Sequence, residues 1–246
     1  MEKNKQTKMD IFKNLLLLAR PAAGKSEVID FLKNQPIDKR VERFHIGEIT
    51  VIDDFPFLWR WFEEDALLNT MGHNRIYTDE LGYFKQKIFW DLLIHMINLE
   101  YDKVNRDLEQ RESKTTFLIE FSRGKDHGGY QRAFPILSNR ILQNASILYI
   151  DVSWEESLRK NRARFNPKKP DGILEHSVPD KKLKKMYYEC DFKEISYSSA
   201  NLINIREFYV PYQIMENEDD VTSKGGIYLE ERLKSVLDAL WDNKFA

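Results

Sequence analysis

A single cysteine, Cys190, stands in a chain of 246 residues, so no internal disulfide can form and a cross-linked secreted scaffold is excluded. No stretch approaches the roughly 18 to 20 apolar residues of a membrane-spanning helix. Lys3, Lys5, Lys8 and Lys13 precede an apolar run from Leu15 to Ala19. That run is too short for a signal-peptide core, and Arg20 and Pro21 end it without a small-residue cleavage site. The cytoplasm is the expected location. An excess of charge of one sign is also missing, because Lys plus Arg number 38 against Asp plus Glu 40, a formal net charge of -2. Bulk nucleic-acid binding is therefore not expected, although a local basic pocket is compatible with this balance. The five histidines lack metal-ligand spacing, so no zinc site is expected. An N-K-x-D guanine motif, a dinucleotide fingerprint and internal repeats are absent as well.

What is present points to one α/β domain over residues 1–246, with 42% hydrophobic residues for a core and 32% charged residues for its surface. Leu15 to Leu18 reads as a buried parallel strand. Lys25 to Lys33 reads as a helix burying Val28, Ile29, Phe31 and Leu32. A short strand is expected near Phe44–Ile46, irregular structure over residues 56–69, and a long helix over residues 79–112 with Phe84, Ile88, Leu92, Met96 and Leu99 as its spine. Strands are expected again over residues 115–121 and 146–152, with a further apolar segment at 208–215. The last helix carries Leu229, Leu233, Val236, Leu237, Leu240 and Trp241 on one stripe. Alternation of this kind implies a mostly parallel sheet between helical layers, a three-layer α/β/α sandwich, with ligands at the carboxyl ends of the strands.

The segment Ala19-Arg20-Pro21-Ala22-Ala23-Gly24-Lys25-Ser26 matches G-x-x-x-x-G-K-[ST] except at its first position. It follows an apolar strand and opens a helix, the context that gives this pattern its meaning. Arg20 to Ser26 are the candidate nucleotide-binding residues. Their amides and the helix N-terminus suit an anion, Lys25 reaches β/γ oxygens, and the Ser26 hydroxyl suits magnesium. Ala19, in place of glycine, is expected to carry some backbone strain.

With this cradle, the acidic pair Asp53-Asp54-Phe55, the strand end Glu120-Phe121-Ser122-Arg123-Gly124 and the arginine-rich Trp154–Phe165 segment, the chain resembles the P-loop kinases of small molecules. The resemblance implies a P-loop kinase-like fold with a helical insertion at about 56–112 and a lid at about 154–191. It implies Asp53 as acceptor base, Asp54 and Arg123 as substrate-binding residues, and Glu120 near the magnesium ion. Arg159 and Arg162 would offset charge on the transferring phosphoryl group. Trp154, Leu158 and Phe165 would anchor the lid, with Lys168, Lys169 and His176 as further phosphate contacts. Tyr209–Tyr212 would lie near adenine, and the acidic run at 216–220 reads as a solvated loop.

The partners implied are ATP, magnesium and a small hydroxyl- or phosphate-bearing acceptor, a nucleoside or nucleotide among them. No membrane partner is expected, and oligomeric state is left open. Two other readings fit the same motifs. One is a nucleotide-binding regulator without transfer activity. The other is a toxin-like kinase of a macromolecular or sugar-nucleotide target.

Overall fold

The computed structural model describes residues 11–109, 114–164, 178–197 and 201–244. The leucine run forms β1 (Asn14–Ala19), buried along its whole length, followed by α1 (Lys25–Lys33), α2 (Ile37–Phe44) and β2 (Glu48–Asp53). Two long helices, α3 (Phe55–Thr70) and α4 (Ile88–Glu109), lead into β3 (Thr115–Phe121). Short helices α5 (Gly129–Ala133) and α6 (Asn139–Leu142) precede β4 (Ala145–Asp151). Then come α7 (Trp154–Arg164), α8 (Asp180–Tyr187) and α9 (Phe192–Ser196). The chain closes with β5 (Leu202–Ile205), β6 (Phe208–Glu216), α10 (Val221–Lys224) and α11 (Gly226–Asn243).

Six strands make one sheet in the order β2-β3-β1-β4-β6-β5. All neighbours are parallel except β5, which runs antiparallel to β6. Alternation along each strand divides the core in two. Leu16, Leu18, Ile119 and Tyr149 face a cluster completed by Ile94, Ile97 and Tyr101 of α4. Leu15, Leu17, Leu118 and Ile150 face one completed by Val28 and Ile29 of α1 and Leu229, Leu233 and Leu237 of α11. The molecule is thus α/β, with helices packed on both sides of a mostly parallel sheet, an arrangement compatible with a three-layer sandwich. A third, smaller cluster ties Leu183, Met186 and Tyr187 of α8 to Trp154 and Leu158 of α7 and to Tyr83 and Trp90. Among the described residues no helix is long and apolar enough to cross a membrane.

Several expectations need correction. Phe44 ends a helix, and the second strand is Glu48–Asp53. Residues 56–69 are regular helix, because Pro56 sits in the first turn of α3, where its missing N–H costs nothing. The spine of α4 is turned the other way: Leu93, Ile94, Ile97 and Tyr101 are buried. Ile88, Leu92 and Leu99 are 54%, 39% and 47% exposed. Ala19 lies in regular strand pairing with Ile150; the left-handed backbone falls at Ala22, with φ 59°. Phe165, Lys168, Lys169 and His176 lie outside the described residues.

Candidate functional site

Strand order reverses at β1, with β3 on one side and β4 on the other, which puts a crevice above its carboxyl end. Residues 20–24 turn there. Three side chains from distant parts of the chain hold the turn from outside, each donating to one of its carbonyls. Tyr130 Oη donates to Ala19 O at 3.2 Å, Ser157 Oγ to Pro21 O at 2.8 Å, and Asn217 Nδ2 to Ala23 O at 2.9 Å. With alternate carbonyls drawn outward, the amides of Ala22, Gly24, Lys25 and Ser26 have no hydrogen-bond acceptor among the described residues. Gly24 has φ 115°, and a Cβ there would stand 2.5 Å from Thr222 Oγ1, so neither the backbone nor the space admits a side chain. Unpaired amides at a helix N-terminus suit an anion. Arg20 contributes only its backbone to it. Its guanidinium turns away and donates to the carbonyls of Val152, Tyr187 and Tyr188.

Beneath the turn lies a floor of opposed charges. Lys25 Nζ donates to Ser122 Oγ at 2.8 Å. Asp53 and Glu120 end adjacent strands in direct register, and their side chains share the sheet face of Leu118 and α1. Burial, then the charges of Glu120 and Asp54, push Asp53 up to about 8, against the smaller opposing effects of the Phe55 amide and Lys25. Burial likewise raises Glu120, countered by Lys25, by a hydrogen bond from Asp53 and by Arg164. Two carboxyl groups side by side cannot both ionise cheaply, so near neutral pH Asp53 carries a proton and donates it toward Glu120.

Asp54 points elsewhere. Its Oδ2 accepts from Arg123 Nη1 at 2.6 Å, and both residues are buried. Arg123 also donates to the carbonyls of Ser122 and Trp90 and lies over the rings of Trp90 and Phe121. Arg123 is therefore the companion of Asp54 rather than a free substrate contact. His127 stacks on Trp90 at 3.9 Å between ring centroids. Burial, then the Arg123 charge, depresses it to about 3 against the pull of the Met186 carbonyl, with Lys87 adding to the depression, so it is neutral.

The arginines of α7 divide. Arg159 is exposed and held by Glu156 and Asp220, and Arg162 by Asp180; both side chains are engaged at the surface rather than over the cradle. Arg164, which the sequence did not single out, approaches Glu27 of α1 at 3.4 Å and is felt by Glu120. Buried Lys160 donates to Asp220 at 2.7 Å and to Thr222 Oγ1 at 2.9 Å, reaching the cradle from behind. The loop after β6, read as solvated, backs the site through fully buried Asn217. Tyr209–Tyr212 lie toward the opposite end of β6, away from the crevice, since Tyr212 pairs with Ile147 while the later Met215 pairs with Ile150.

No described protein family matches this chain, and no curated protein sequence matches it.

Proposed function

We propose that this chain is an ATP- and magnesium-dependent phosphotransferase with a P-loop kinase-like fold, acting on a small hydroxyl- or phosphate-bearing acceptor. The observation that carries the reading is the meeting of three features at one crevice: unpaired amides over residues 22–26, Lys25, and the register-matched carboxyl pair Asp53 and Glu120. An ordinary turn has no use for two raised carboxyl groups beneath it.

In this reading the amides and Lys25 hold the β- and γ-phosphates. Ser26 and Glu120 would hold magnesium, which when bound neutralises charge between those phosphates. In the loaded site Asp53 would stand as a carboxylate, its proton released to solvent, and so would be free to act as a base. It then takes the proton of the acceptor hydroxyl as that oxygen bonds to the γ-phosphorus and the bond to the β-phosphate oxygen breaks. Arg164, paired with Glu27 of α1 and close enough to act on Glu120, is the arginine of α7 best situated to offset the transferring charge once that pair opens, while Arg159 and Arg162 are held in surface ion pairs farther out. The Asp54–Arg123 pair fixes the wall beside the acceptor.

Calorimetric titration with magnesium-ATP, followed by acceptor-dependent ADP release, tests the proposal. Lys25→Ala is expected to weaken triphosphate binding by at least about 100-fold, as loss of a charge-assisted contact to phosphate would. Tight binding without turnover against any acceptor would favour the regulator instead, and unimpaired binding by Lys25→Ala would sink both.

A further inference from the structure

The solvent face of α8 is formed by Lys181, Lys184, Lys185 and Tyr188, one helical stripe at three- and four-residue spacing, every member exposed. Lys182 flanks it, reaching the carbonyl of Gly82 and lying 4.9 Å over Phe62 and 5.3 Å over Tyr83. Lys185 lies 4.0 Å over the same Tyr83 ring, and Lys184 5.6 Å over Tyr188. Lys87 joins this side, close enough to influence His127. None of these five lysines has an acidic ion-pair partner among the described residues, whereas the cations of α7 are all taken up by carboxylates. Asp180, the acidic residue of α8, is already paired with Arg162. Beside the stripe is a groove of about 320 Å³ lined by Lys125, Asp126, Lys184, Lys185, Tyr188 and Glu189. Arg20 fastens the end of α8 to the turn at residues 20–24, so the C-terminal end of this face lies beside the candidate site.

We infer that the α8 face is a docking surface for single-stranded nucleic acid, an inference that rests on the phosphotransfer reading and names a strand end as the carrier of the acceptor. Unpaired lysines follow a phosphate backbone, and the exposed Tyr188 ring among them gives a base a sequence-tolerant stacking surface. An acidic peptide would leave the exposed Tyr188 ring idle. A net charge of -2 is no obstacle, because the contact needs only one helix face.

Fluorescence anisotropy with labelled 12-nucleotide single strands, DNA and RNA, tests the inference. We expect micromolar binding at 50 mM salt and a slope of log K on log salt of about -3, near 0.7 for each of four phosphate contacts. Lys184→Glu with Lys185→Glu is expected to weaken binding at least tenfold while magnesium-ATP binding and the melting temperature stay unchanged. Tyr188→Ala is expected to cost about tenfold with the salt slope retained. Equal affinity for duplex, equal affinity of the double variant, capture by phosphatidylserine vesicles in place of oligonucleotide, or no binding at 50 mM salt would each overturn it. If oligonucleotides bind as stated but phosphate reaches neither their ends nor any small acceptor, the phosphotransfer reading fails and the surface stands; if only small acceptors are phosphorylated, the strand end as acceptor is overturned. If free nucleosides are phosphorylated and oligonucleotides do not bind, the surface fails alone.

Discussion

Asp53 and Asp54 are consecutive, yet one stands where carboxylates outnumber the cations that reach them and the other where charge is matched. Asp54 has a guanidinium at 2.6 Å, itself held by two carbonyls and two rings. Asp53 has a second carboxyl group as its neighbour and a lysine as a minor counterweight. A matched buried pair adds rigidity and asks for nothing further. An unmatched carboxyl pair is a standing demand for positive charge, which a folded chain keeps only where something else will supply it. The difference separates scaffold from site within two residues.

The sharpest way to break the comparison is on the matched side. Arg123→Ala strands the Asp54 charge in the interior and is expected to cost about 3 to 5 kcal/mol in chemical denaturation. A loss below 1 kcal/mol would mean that Asp54 reaches water and that the two sites are not different in kind. On the unmatched side the sign reverses. Because folding raises Asp53 from 3.8 to about 8, its contribution to the ligand-free protein is present at low pH and is lost as pH rises through about 8. Asp53→Asn should therefore stabilise the ligand-free protein by about 1 to 4 kcal/mol at pH 9, and by little near pH 4, while abolishing transfer. For the same reason the gain in melting temperature from magnesium-ATP should grow with pH in the parent protein and stay flat in Asp53→Asn. The smallest effects belong to the surface. Arg162→Ala should change stability by less than about 1 kcal/mol, as exposed ion pairs do, and Arg164→Ala should reduce the rate of transfer more than Arg162→Ala does.

Much of this contrast could not be read from the residues alone. The strand–turn–helix around Lys25 was legible to within a residue at each boundary, since an all-leucine run, G-K-S and an amphipathic helix are each strong local signals. The strand ending at Phe121 was equally clear, and Glu120 does face away from Phe117, Ile119 and Phe121. Glu48–Asp53 was obscured because an edge strand with exposed or half-buried positions carries a weaker pattern than Phe44–Ile46 beside it. In α4 two apolar stripes coexist, and only the packed sheet decides between Leu92 and Leu93. The union of Asp54 with Arg123, 69 positions apart, depends on β2 lying beside β3, which no local pattern states. Asn217 looked like part of a polar loop because its burial comes from the turn it supports.

The pins on the turn before α1 come from α5, α7 and the segment after β6, regions far apart along the chain. Tyr130, Ser157 and Asn217 each restrain one carbonyl, so the geometry of five residues is a report on the integrity of nearly the whole domain. A local melting event in any of the three regions slackens the same turn. On the reading proposed above, anion affinity becomes an internal gauge of folding, and partly opened molecules are expected to lose their grip on nucleotide before they lose their sheet.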